Sequence, residues 1–101
     1  MRMMMFVSLP VEPFNSAVRD GSAGAKMQKI LAAQKPEAAY FMDLHGKRTG
    51  VLIVDLASAS EIPAFAEPWF LTFNASLEVH PVMMPADLAA AGLEKLGKEW
   101  G

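Results

Sequence analysis

The chain has no cysteine among its 101 residues, which removes disulfides, thiolate metal sites and a cysteine nucleophile from consideration. Glycine-rich phosphate loops and serine-centred nucleophile elbows do not occur. No apolar run approaches the roughly 20 residues that a membrane-spanning helix needs. The run from Met3 to Leu9 is closed by Pro10, and it is shorter than the apolar region of a secretory signal and lacks a small-residue cleavage site. Charge of one sign is also lacking. Nine Lys and Arg stand against eleven Asp and Glu, for a net charge of −2, which argues against a binder of phosphate backbones. Met3-Met4-Met5-Phe6-Val7 lacks the aromatic-plus-basic pattern of strands that read single-stranded RNA. The expectation from these absences is a cytoplasmic protein of bacterial type, with no nucleic-acid, membrane or cofactor partner.

What is present is apolar. Hydrophobic residues make up 52% of the chain and charged residues 20%, a greasy balance for a small monomer that predicts an oligomer hiding part of its apolar surface. The length suits one domain, residues 1–101, able to bury a single core without staples.

Arg2 to Leu9 reads as a central strand covered on both faces. Glu12-Pro13 suits a helix start. Gly21 and Gly24 weaken the middle of the stretch from Val11 to Gln34, so a short turn or helix near Phe14 to Val18 and a firmer helix from Ser22 to Gln34 are expected. Met27, Ile30 and Leu31 mark the core side of the second. Ala38 to His45 and Val51 to Leu56 read as a hairpin with Gly46 to Gly50 as its loop. Pairing His45 with Val51 sets Tyr40, Met42 and Leu44 opposite Leu56, Val54 and Leu52 as one apolar face. Ser58-Ala59-Ser60-Glu61 has capping-box spacing and opens a helix carrying Ile62, Phe65, Ala66, Trp69 and Phe73. Pro68 should kink or restart that helix, and Asn74 is a fitting left-handed terminator. Ser76 to Met83 makes a fourth strand, and a C-terminal helix carries Leu88, Leu93, Leu96 and Trp100.

This order predicts an α+β fold: a ferredoxin-like βαββαβ antiparallel sheet with helices on one face, plus a C-terminal helix. Val18-Arg19-Asp20-Gly21, Lys35-Pro36-Glu37-Ala38-Ala39-Tyr40-Phe41, Ile62-Pro63-Ala64-Phe65-Ala66-Glu67-Pro68 and Pro85-Ala86-Asp87-Leu88 run through nearly the whole chain. In these segments it resembles small uncharacterised bacterial proteins of the dimeric α/β-barrel superfamily. The resemblance implies a homodimer whose sheets face each other, and it implies no particular reaction.

Both histidines stand two residues after a carboxylate on an expected strand, in Asp43-Leu44-His45 and Glu78-Val79-His80, so each pair points to one side. Such a neighbour can set an imidazole's tautomer or raise its pKa. With the hairpin's apolar face on the helices, Asp43, His45, Asp55, Glu78 and His80 collect on the open face. They are the candidate acid–base groups of a cofactor-free isomerase or monooxygenase. They serve equally well as ion pairs of a structural dimer interface. The second and fourth strands lie three steps of about 4.8 Å apart, too far to share one ion, so no metal is expected. The methionines suit Cu(I) but are ordinary core filler. Trp69, Phe73 and Tyr40 are the expected walls of an apolar pocket, opened by a helix kinked at Pro68. The favoured reading is a protein that binds a small apolar or aromatic molecule there.

Overall fold

The alternation of β1 (Arg2–Leu9) organises the molecule. In the computed structural model Met3, Met5, Val7 and Leu9 are buried, while Arg2, Met4, Phe6 and Ser8 on the other face are only half-buried. The first strand is therefore covered on one face, not two. It is flanked by two antiparallel neighbours, β3 (Lys47–Asp55) and β4 (Ser76–Pro81), and β2 (Ala38–Leu44) completes the sheet outside β3. The order β2-β3-β1-β4 leaves β2 and β4 at opposite edges. The fold is α+β, consistent with a ferredoxin-like arrangement. Helices α1 (Val11–Asp20), α2 (Ala23–Gln34) and α3 (Ile62–Phe73) supply the residues that meet the inner face. Met5, Val7, Leu52, Trp69 and Phe73 are fully buried there, with Ile30 and Val54 beside them.

The hairpin differs from the reading of its sequence. Its loop is two residues, His45 and Gly46, with φ of 55° and 73°, and β3 begins at Lys47. Two consecutive left-handed residues are the signature of a tight turn whose twist matches that of the strands. Histidine is among the few non-glycine residues that visit this region readily. The five-residue loop expected from Gly46 to Gly50 is not formed, because Lys47, Arg48, Thr49 and Gly50 pair with Leu44, Asp43, Met42 and Phe41. That displaces the register by an odd number of residues, which turns β2 over relative to β3. Leu52 and Val54 still face the helices. Tyr40, Met42 and Leu44 face the open side, and Asp43, expected on the open face, lies on the helix side.

Helix α1 is closed at its start by Glu12, whose backbone is extended (φ −113°, ψ 143°). Its carboxylate accepts from the Ser16 backbone N–H at 3.1 Å and hydroxyl at 2.7 Å. A single 3-10 turn, Ala59–Glu61, precedes α3, and Asn74 ends α3 in the left-handed conformation (φ 53°). Pro68 does not restart α3, which runs through it as one helix. The next residue explains the tolerance: Trp69 is buried, and its indole N–H donates to Gln34 Oε1 at 3.1 Å, while Gln34 Nε2 donates to the Phe65 carbonyl at 2.8 Å. This pairing and the burial of Phe73 hold both halves of the helix to the sheet against the local cost of proline. The C-terminal segment forms two short helices, α4 (Pro85–Ala90) and α5 (Leu93–Trp100), separated at Gly92 (φ 72°).

Two substitutions test these contacts. His45→Asn places the preferred Asn-Gly pair in the turn and should stabilise the protein by up to about 1 kcal/mol, read as a higher melting temperature. A five-residue loop would make that change neutral. Gln34→Leu strands the Trp69 N–H in the core and should lower the unfolding free energy by about 1–3 kcal/mol in denaturant titration.

Candidate functional site

The flipped register builds a recess on the helix side of the hairpin, open at the β2 edge, with a volume of about 660 Å³. Leu9, Phe14, Met27 and Phe41 form its apolar wall, and Asp43 and Arg48 stand among its polar members. Phe41 owes its seat to Gly50, the residue directly opposite it. A β-carbon at Gly50 would come within 3.2 Å of the Phe41 ring, so glycine lets the ring lie close across the strand where any larger residue would push it back by a few tenths of an ångström.

Asp43 and Arg48 are also directly opposed across the ladder, yet they form no ion pair. Asp43 Oδ1 accepts the Gly46 backbone N–H at 2.9 Å and so braces the tight turn. The Arg48 guanidinium reaches instead to Asn15 Oδ1, at 2.7 Å, and lies 4.7 Å from the centre of the Phe14 ring. Stacking and one neutral acceptor orient it, and no carboxylate forms a direct ion pair with it. Its remaining N–H groups are available to a ligand's oxygen atoms at the mouth of an apolar recess.

A second, smaller recess of about 250 Å³ lies on the open face, where Phe6, Thr49 and Ser76 meet His45 and Glu78. His45 comes from the turn and Glu78 from the opposite edge strand, so the hairpin tip carries one expected member of the polar cluster towards the other. Glu78 Oε2 stands 3.3 Å from His80 Nε2, both side chains exposed, with the His80 ring edge-on to Phe6 at 6.0 Å between centres. The Asp-x-His pair of the hairpin is not joined in this way, because Asp43 is on the other face and occupied with the turn. Asp55 is on the open face, where its Oδ1 accepts from the amino terminus of Met1 at 2.8 Å. That bond, reinforced by the terminus's charge, holds the Asp55 carboxyl below the ordinary aspartate range.

The expected aromatic pocket is not assembled. Trp69 and Phe73 have no exposed surface and belong to the core, while Tyr40 is 64% exposed on the opposite face of the sheet. Neither buried ring borders either of the two recesses. Phe14, Met27, Phe41 and Arg48, which line the larger recess instead, were not expected from the sequence to form a binding site. Their signal was the His45-Gly46 dipeptide, a two-residue turn that places Phe41 over Gly50 and towards α1 and α2. No group of three or more His, Asp or Glu side chains is arranged to hold a metal ion, and no helix is long and apolar enough to cross a membrane.

Comparison of the sequence with protein-family models and with curated proteins finds no match.

The pairing of Asp55 has a consequence for pH. A carboxyl whose pKa is lowered by folding contributes stability above its ordinary range, and that contribution drains away as pH falls through the lowered value. The acid limb of a stability-against-pH curve should therefore be shallower for Asp55→Asn than for the parent protein.

Proposed function

We propose that the chain acts as a homodimer that binds a small apolar or aromatic molecule, one per subunit, in the recess between the hairpin and helices α1 and α2. The observation that carries this reading is the recess itself. A volume of about 660 Å³ lies within the roughly 300–1,000 Å³ usual for small-molecule sites, and an apolar wall with a few placed polar groups is their usual lining. An aromatic ring between Phe41, Phe14 and Met27 would bury apolar surface, and a polar substituent would meet Arg48.

The homodimer is proposed as a ferredoxin-like α/β barrel in which two open sheet faces meet. The face presents Met4, Phe6, Val51 and Ile53 on its two central strands and Tyr40 and Met42 on the β2 edge, with Glu78 and His80 on the β4 edge and Arg2 and Asp55 at the strand ends. An apolar centre with a polar rim is the anatomy of an interface. The second reading, a cofactor-free isomerase or monooxygenase using a histidine as acid–base, draws support from the smaller recess, since His45 and Glu78 border it together and pairing of the faces would shut it from water. A purely structural dimerisation module is the reading left if nothing binds.

The test is a thermal-shift screen with aromatic acids and their neutral analogues, run on the parent and on Gly24→Leu. Gly24 is a helical residue of the recess wall, and a β-carbon there meets nothing within 4 Å. The β-carbon therefore enters open space, the longer leucine side chain is the probe of the recess, and the change favours the helix by roughly 1 kcal/mol. A ligand should raise the parent's melting temperature and leave the more stable variant unmoved. Equal shifts in both proteins would place binding elsewhere, and no shift with any compound would leave the structural module.

A further inference from the structure

Beyond Val82 the segment after β4 buries no residue against its own subunit. Every residue from Met83 to Gly101 is exposed, including Leu88 at 46%, Leu93 at 56%, Leu96 at 43% and Trp100 at 80%. The molecule measures 60 × 28 × 19 Å with a radius of gyration of 17.1 Å, against about 13 Å for a compact chain of this length. Its accessible surface is 6846 Å², whereas a compact protein of 11.0 kDa should expose about 5,600 Å².

This segment is an arm with a set direction. Val82 donates its backbone N–H to the Arg2 carbonyl, which continues the sheet edge. Asp87 then accepts the Met84 N–H at 2.8 Å with Pro85 in the first turn, so α4 starts from a capped end. Helix α5 places Leu93, Leu96 and Trp100 on one side at i, i+3 and i+7. Helices of six and eight residues are far below the roughly 12–15 at which an isolated helix becomes even marginal in water. Both need a surface to pack on.

We propose that this arm packs on a second copy of the chain, laying Leu93, Leu96 and Trp100 against the partner's β2 edge at Phe41 and closing the partner's hairpin recess. Area and charge argue for another copy. The excess of roughly 1,200 Å² exceeds the ~800 Å² that each partner contributes to a stable complex. With Asp87, Glu94 and Glu99 against Lys95 and Lys98, the arm lacks the basic polar face that draws amphipathic helices to anionic lipid. The place follows from the sheet. The arm leaves from the β4 edge, and Phe41, 51% exposed, lies on the opposite edge strand. A subunit's arm points away from its own recess. The end of β4, beside Arg2 and Met3, lies diagonally across the sheet from the hairpin turn, so a two-fold axis between facing sheets and oblique to the strands brings the β4 end of one copy to the hairpin of the other, and the exchange is then reciprocal. The inference rests on the homodimer reading above and makes each ligand site depend on both chains.

The absence of cysteine makes the test direct. Full-length Leu96→Cys and Phe41→Cys proteins are mixed, allowed to exchange subunits and oxidised, with sedimentation measured in parallel. The emission of Trp100, taken as parent minus Trp100→Phe, is followed across dilution and with vesicles of anionic lipid. The proposal expects a Leu96–Phe41 disulfide between chains in most of the mixed dimer. It also expects a blue-shifted Trp100 that moves red on dilution to monomer. A dimer with no disulfide and a water-exposed Trp100 would overturn the arm's role and leave the homodimer standing. A monomer at micromolar concentration would overturn both, and a blue shift that appears only with vesicles would assign the arm to lipid instead.

Discussion

Two left-handed residues, His45 and Gly46, decide which chemistry each face of the sheet carries. Side chains alternate along a strand, so the parity of one turn fixes the facing of every residue in β2 against β3. With a two-residue turn, Phe41 and Asp43 join Leu52 and Val54 on the helix side, while Tyr40 and Met42 join Val51 and Ile53 on the open side. A loop of any odd number of residues would have sent Asp43 to the open face and Tyr40 to the core. Asp43 reinforces the turn that places it, by accepting the Gly46 N–H. The carboxylate that looks most like a partner for His45 in sequence is thus a brace for the backbone on which His45 sits.

The same turn leaves Arg48 opposite an acid that is already engaged. On a two-stranded surface a directly opposed Asp–Arg pair would ordinarily form a cross-strand ion pair. Here the guanidinium is drawn towards α1 by Phe14 and Asn15. The recess therefore keeps a cation that is oriented but in no direct ion pair, beside a wall of Phe14, Met27 and Phe41. Glycine at position 50 matters to this site for a steric reason, since a β-carbon there would press on the Phe41 ring at 3.2 Å.

The order of strands and helices was legible in the sequence because it rests on strong local signals: Pro10 and Pro36 as breakers, Gly21 between two helices, and Asn74 as a left-handed stop. So was the outward facing of Glu78 and His80, which needs only alternation along one strand. Three features were not legible. The register of the hairpin turned on reading Lys47 to Gly50 as loop residues, when they are the first residues of a strand whose polar and glycine side chains fit a half-covered face. The path of α3 through Pro68 is a tertiary effect, because the bond that proline forgoes is outweighed by burial of Trp69 and Phe73 and by the Gln34 side chain between two helices. The direction of the C-terminal arm could not be read from Leu88, Leu93, Leu96 and Trp100, since an apolar stripe records that a helix needs a surface without recording whose.

That last point bears on the energetics of the whole chain. The buried cluster holds eleven residues, while fourteen large hydrophobic side chains remain exposed. A single subunit thus leaves uncovered about as many apolar side chains as it buries, in a domain of a size whose stability is marginal in any case. In the proposed dimer the open sheet face and the arm would bury much of that remainder, and folding and association would cease to be separable quantities. Ligand binding then enters the same balance. A molecule held between Phe41 and Arg48 on one subunit and the arm of the other stabilises only the assembled form, so occupancy of the recess and persistence of the dimer reinforce each other. Apolar surface that looks wasteful in one chain is, on this account, what makes the site respond to its ligand.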